Sequence, residues 1–185
     1  SLFSIASMTK PMTTVAALTL YEQSKVLMDE PLAKYFPTFA DMRVAVMDPE
    51  GTTILKTVPA ERTITIQDLM RHTSGLIYGT RGTTAVHKLY PAVSTSAATA
   101  MTGAQFTDTL AALPLRWQPG AVWDYAIGLD LIGLVVESIE KKSLGQYLKT
   151  HGFKPLGLVD TGLDIPPRPW IGYRQAIATG PETGH

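Results

Sequence analysis

The sequence predicts an α+β chain that is mainly helical, with short strands and two irregular stretches. Three observations carry this. Apolar residues recur at helical spacing over residues 8–24 and 128–142. Capping signatures open helices at Thr65 and at Ser143. Period-two alternation is confined to a few short segments. With 185 residues, 45% of them hydrophobic, the chain can bury one ordinary core.

The elements follow in chain order. Residues 8–24 are apolar on most faces through Met12, Val15, Ala16, Ala17, Leu18 and Leu20, which predicts a buried helix. Pro11 is tolerable in its first turn, where N–H groups lack intrahelical partners. Met42–Met47 alternates loosely and Thr63-Ile64-Thr65 is a brief β-prone run, so both are expected as strands. Thr65, with Asp68 three residues on, predicts an N-cap and a short helix to about Arg71, with Gly75 suited to its exit. Residues 79–104 are rich in Gly, Thr, Ser and Ala without clear period and are expected to be loop. Residues 128–142 carry Asp130 early and Lys141 and Lys142 late, the polarity that suits a helix dipole. Ser143 and Gln146 then open a further helix. Pro166, Pro167, Pro169 and Pro181, with several glycines, argue against a regular element over residues 164–185.

Composition excludes several classes of function. The chain has 16 basic and 16 acidic residues, scattered rather than clustered, so neither a nucleic acid nor a membrane is an expected partner. It has no cysteine, which removes disulfides, thiolate metal sites and a cysteine nucleophile. His72, His87, His151 and His185 show no metal-ligand spacing, and no metal or organic cofactor is expected. No apolar run has the length of a membrane span. The first residues have no basic n-region and no initiating Met, so the chain is expected to begin inside a longer protein. The compartment stays open: cytoplasmic placement is slightly favoured, with secreted or periplasmic placement as alternatives. The oligomeric state is not legible.

Ser7-Met8-Thr9-Lys10 is an S-x-x-K pattern. Residues three apart share a helix face, with Cβ atoms roughly 5–6 Å apart. A serine hydroxyl needs a neighbour to take its proton, and a lysine whose pKa burial has lowered can do so. The pattern is weak alone. A second match, Ser138-Ile139-Glu140-Lys141, falls late in a helix and reads as structural. A capping serine is the plain alternative for Ser7. No G-x-S-x-G elbow is present.

Context adds specificity. Residues 2–13, Asp29-Glu30-Pro31-Leu32-Ala33-Lys34-Tyr35-Phe36-Pro37, and Thr65 through Leu76 with its His72-Thr73-Ser74-Gly75 each resemble segments of the class C β-lactamase-related serine hydrolases. The S-M-T-K-P run is most similar to that of the family VIII carboxylesterases. Pro119-Gly120-Ala121-Val122-Trp123-Asp124-Tyr125 resembles the family's tyrosine segment, and Phe153 through Thr161 a structural segment. The resemblance implies a β-lactamase/transpeptidase-like fold with Ser7, Lys10 and Tyr125 as catalytic residues. It implies the Ser7 backbone N–H as an oxyanion donor, and substrate contacts at Met8, Trp123 and Ile127. A phenol beside an ammonium is more acidic than usual, so Tyr125 can relay the serine proton. Asp124 is expected to point away from it, since neighbours in an extended segment face opposite sides.

The chain departs from the pattern in two places. β-Lactamases of the group carry Tyr-x-Asn, but this sequence reads Tyr125-Ala126-Ile127. Ile127 cannot hydrogen-bond a substrate amide, which favours esters, and the resemblance to carboxylesterases implies a small-molecule, short-chain ester. The family's third motif is not found, and neither is most of the antiparallel sheet. The expectation is therefore a mainly helical portion plus site segments over residues 1–165, with a Pro/Gly-rich irregular tail over 166–185. A β-lactamase or D-alanyl carboxypeptidase, and a non-catalytic penicillin-binding-like domain, are the alternatives.

Overall fold

The computed structural model describes residues 2–92, 101–163 and 173–175. In chain order its main elements are β1 (Leu2–Ser4), α1 (Thr9–Glu22), β2 (Arg43–Met47), β3 (Ile54–Pro59), α2 (Ile66–Met70), α3 (Gly103–Ala111), α4 (Gly128–Glu140), α5 (Leu144–Leu148) and β4 (Tyr173–Gln175). Short 3₁₀ turns fill several of the gaps, and a π turn over Lys149–Phe153 continues α5.

The core forms where α1, α4, α2 and α5 meet. From α1 it takes Ala16, Ala17 and Leu20; from α4, Leu131, Ile132, Val135 and Val136; from α2, Ile66 and Leu69; from α5, Tyr147 and Leu148. Small residues set the spacing. A Cβ on Gly128 would lie 2.8 Å from the Leu69 carbonyl oxygen, so α4 starts close against α2 only because that position is glycine. At the other end of the core, the Thr19 and Tyr147 hydroxyls hydrogen-bond at 2.7 Å, giving the buried phenol its partner.

The α1 helix departs from the sequence reading. Its Ala16–Leu20 face is buried, yet Val15, Leu18 and Tyr21 on the other side are exposed. A helix apolar all round packs on as many sides as it has neighbours, and among the described residues the neighbours of α1 lie on one side.

The strands also differ from expectation. The β2 strand forms and pairs antiparallel with β3, with an irregularity between Val46 and Met47. The β3 strand was not legible by alternation. In the turn before it, Asp48 Oδ1 accepts the N–H groups of Thr52 (2.7 Å) and Thr53 (3.1 Å), an arrangement typical of aspartate at turns. Thr63-Ile64-Thr65 makes only an isolated bridge from Thr65 to Pro31. The reason is local, because Thr65 is already the N-cap of α2. The β1 and β4 strands pair in parallel, so a short strand interrupts the tail that the sequence presents as irregular. The rest of residues 164–185 lies outside the described residues, as do residues 93–100 of the expected 79–104 loop.

Caps behave as the sequence indicates. At α2, Thr65 and Asp68 form a reciprocal capping box. At α5, the Ser143 hydroxyl accepts the Gln146 N–H at 3.2 Å. The α3 helix carries the same signature, Thr102 with Gln105, which the loop-like composition before it obscured. In the second S-x-x-K match, Ser138 bonds the Val135 carbonyl and Lys141 ends α4 at φ 55°. Both positions are structural. Among the described residues, no helix is long and apolar enough to cross a membrane.

Candidate active site

Ser7 sits in a 3₁₀ turn, Ala6–Met8, that runs directly into α1. Ala6 adopts φ +43°, so a non-glycine residue in the left-handed region precedes the serine. Lys10 lies one turn further on. Its Nζ donates to Ser7 Oγ at 3.3 Å, as the shared helix face predicts.

Tyr125 reaches the same oxygen from a different part of the chain. Its hydroxyl is 2.9 Å from Ser7 Oγ. Lys10 Nζ lies 4.9 Å from the Tyr125 ring centroid, close enough for ammonium and phenol to influence each other's titration. An ammonium and a phenol thus converge on one hydroxyl.

The electrostatics differ from the sequence expectation in one respect. Burial does pull the Lys10 pKa down, but the Tyr125 hydrogen bond, Tyr78 and Asp130 outweigh it, and the ammonium is held above its ordinary value. Burial pushes the Tyr125 phenol up, but Lys10 and Ser7 outweigh that and lower it. The two shifts have one cause, the contact between ammonium and phenol. They favour Tyr125 over Lys10 as the group that gives up its proton.

A hydrogen-bond network centred on buried Asp68 places the Tyr125 segment. Asp68, fully buried at the start of α2, takes Arg62 in a two-pronged pair, with N–O distances of 2.5 and 2.9 Å. It also accepts from Thr65 and from the Thr73 hydroxyl. Burial raises this carboxyl, but these donors overcome it and bring its pKa to about 2. Thr73 in turn accepts the Gly120 N–H at 2.6 Å, which anchors the start of the segment. A Cβ on Gly120 would meet the Arg62 guanidinium at 2.1 Å, so this junction needs glycine. Ser74 is buried, and its hydroxyl accepts the Leu76 N–H, a turn role.

Among the residues expected to contact substrate, Met8 and Trp123 are 68% and 63% exposed beside the triad. Ile127 corrects the sequence reading. It is fully buried in the core at the start of α4, so its side chain has no surface to offer a ligand. Asp124 points at Trp117, whose indole N–H donates to it at 3.2 Å, so it faces away from the phenol as alternation predicts.

Sequence reasoning missed Tyr78 and Arg81 as neighbours of the site and gave His72 no place beside Tyr125. Tyr78 lies with its ring centroid 5.9 Å from that of Tyr125 and donates to Asp130. The Arg81 guanidinium sits 5.3 Å from the Tyr125 ring centroid. His72 packs against the same ring at 4.7 Å. Nothing in the spacing marks Tyr78 or Arg81, since a fold with long-range contacts brings them in.

The beta-lactamase family model matches residues 1–184. The chain belongs to the beta-lactamase family. Within it, this beta-lactamase-family chain is similar to the esterases. It is 36% identical to protein Rv1367c of Mycobacterium tuberculosis over 89% of this chain and 40% of that protein. It is 30% identical to esterase EstB of Burkholderia gladioli over 88% of this chain and 38% of EstB. It is 31% identical to lovastatin esterase of Penicillium rubens over 85% and 38%. Among solved structures, EstCE1, a hydrolase with promiscuous acyltransferase activity, superposes with a TM-score of 0.64 at 26% identity, covering 84% of this chain and 38% of EstCE1. A beta-lactamase/D-alanine carboxypeptidase of Yersinia pestis, at 23% identity, covers 90% of this chain and 42% of its own, and its TM-score of 0.64 shows the shared fold. The chain spans about 40% of the length of the relatives it matches.

Proposed function

We propose that this chain carries the acyl-transfer site of a serine hydrolase acting on small carboxylic esters. The observation that supports it most is the convergence of Lys10 Nζ and the Tyr125 hydroxyl on Ser7 Oγ, at 3.3 and 2.9 Å. The names of the esterase relatives support the substrate class.

The geometry suggests the following steps. Tyr125, as phenolate beside the Lys10 ammonium, takes the Ser7 proton while Oγ bonds to the ester carbonyl carbon. The negative charge that develops on the carbonyl oxygen is met by the Ser7 backbone N–H and the positive field of the helix start. As the tetrahedral intermediate collapses, its C–O bond to the alcohol breaks and Tyr125 returns the proton to the departing oxygen. Water then gives a proton to Tyr125 and attacks the acyl-serine. The acid leaves, and Ser7 recovers its hydrogen.

A second acceptor is favoured by other relatives. Monacolin J acid methylbutanoyltransferase of Aspergillus terreus is 32% identical over 95% of this chain. An alcohol could replace water in the last step by the same proton path.

The test is turnover of p-nitrophenyl butyrate by the chain beside Ser7→Ala and Tyr125→Phe, with labelling by a fluorophosphonate probe. Turnover and labelling that vanish in Ser7→Ala support the reading. An intact chain that neither turns over nor labels would favour the binding-only alternative. Rapid nitrocefin turnover without ester turnover would favour the β-lactamase one. Added short-chain alcohols that divert product into a new ester would reveal the transferase branch.

A further inference from the structure

His72 follows α2 and turns the chain at φ +59°. Two of its atoms reach the Tyr125 segment. Its main-chain carbonyl accepts the Asp124 N–H at 2.9 Å. Its ring Nδ1 accepts the Ala126 N–H at 3.1 Å. One residue therefore grips the backbone immediately before and immediately after Tyr125. The imidazole also lies under the phenol, with ring centroids 4.7 Å apart and planes tilted by 40°.

We propose that His72 is a positioning residue for Tyr125, holding its hydroxyl on Ser7 by accepting the Ala126 N–H. This rests on the reading of Tyr125 as the proton carrier. His72 acts through Tyr125, because the polar contacts to Ser7 Oγ come from Lys10 and Tyr125.

The chemistry of the contact fixes the state of the ring. An imidazole accepts at Nδ1 only when that nitrogen carries no proton, so the neutral ring bears its proton on Nε2. Protonation would set two N–H groups face to face. Ala126 is fully buried, so water cannot take over as acceptor for its amide. The surroundings keep the ring neutral: burial first, then the Lys10 and Arg81 cations, lower its pKa, while Asp124 pulls the other way. The other titratable group against it is Tyr125 itself.

Three substitutions separate positioning from packing. Asparagine places an acceptor oxygen near the Nδ1 position and tolerates positive φ. Glutamine carries its amide further out, near Nε2. Alanine removes the acceptor. On p-nitrophenyl butyrate, H72A and H72Q are expected to lower kcat by about 10- to 100-fold with KM little changed, the scale of an ångström-sized misplacement. H72N is expected to recover most of kcat. Melting temperatures of all three serve as the control for packing.

A second readout needs no turnover. The Tyr125 phenol is titrated by NMR with a ring-carbon label, alongside the Ala126 amide shift. The phenol should titrate below its ordinary value in the parent, move upward in H72A as it leaves Lys10, and return in H72N. The Ala126 amide should shift as His72 titrates. The proposal fails if H72A leaves both kcat and the phenol titration unaltered, or if H72N behaves as H72A at equal stability. Should Ser7→Ala keep full turnover, the catalytic reading falls, and the NMR series still decides whether His72 positions Tyr125.

Discussion

The Tyr125 hydroxyl lies 2.9 Å from Ser7 Oγ, although 118 residues separate them in the chain. Lys10 is bound to the same oxygen and lies 4.9 Å from the Tyr125 ring centroid. The contact makes Tyr125 a better acid and Lys10 a more persistent cation. It divides the proton work between them, and four predictions follow from it and from its supports.

Tyr125→Phe removes the hydroxyl while keeping the ring against His72 and Tyr78. The expected loss is about 10²–10⁴-fold in kcat, the usual contribution of a positioned acid–base group. Stopped-flow acylation with p-nitrophenyl butyrate measures it. A loss below 10-fold, on the same scale, would assign the proton to another group.

The pH profile follows from the direction of the shifts. If Tyr125 takes the Ser7 proton as proposed, activity needs its phenolate, and kcat/KM should rise with pH through a value below the ordinary phenol value of about 10. It should fall again only when Lys10 loses its proton, above the ordinary ammonium value. Lys10→Met deletes the ammonium and its hydrogen bond. The rising limb should then move to higher pH, as read from kcat/KM over a range that starts about four units below the ordinary phenol value.

Asp68 should be costly to change. Its carboxylate is buried and holds Arg62, Thr65 and Thr73 together. Asp68→Ala leaves the part-exposed Arg62 without this partner and takes an acceptor from Thr65 and Thr73, and is expected to cost about 1–3 kcal/mol in urea unfolding, the range for unpairing buried hydrogen-bonding groups. The sign with pH is fixed, because the folded pKa, about 2, lies below the unfolded one. The stabilisation is complete above the ordinary carboxylate range and is lost as pH falls through about 2. The stability gap between parent and variant should therefore narrow as pH falls toward 2.

Gly75→Ala tests the turn beneath the site. Gly75 has φ +83°, and an added Cβ would stand 2.1 Å from the Trp117 carbonyl oxygen. Left-handed backbone alone costs a side chain about 1–2 kcal/mol, and the clash adds to it. A fall in Tm of at least about 4 °C is expected, the shift that roughly 2 kcal/mol gives in a chain of this size. An unchanged Tm would mean that the turn relaxes freely.

Sequence alone determined what local chemistry dictates. The Thr65–Asp68 capping box, the helix carrying Asp130 and the Ser143 cap were legible because each is a contact between residues a few positions apart. The Ser7–Lys10 contact was legible for the same reason, since helix geometry sets it. Tertiary structure decided everything that crosses the chain. It supplied the His72 grip on either side of Tyr125, the placement of Tyr78 and Arg81, and the burial of Ile127. It also set the direction of the Lys10 shift. Burial alone predicts a lowered pKa, but a phenol brought from 115 residues away reverses it. Coulomb energy depends on distance in space, and spacing along the chain fixes that distance only within a turn or two of helix.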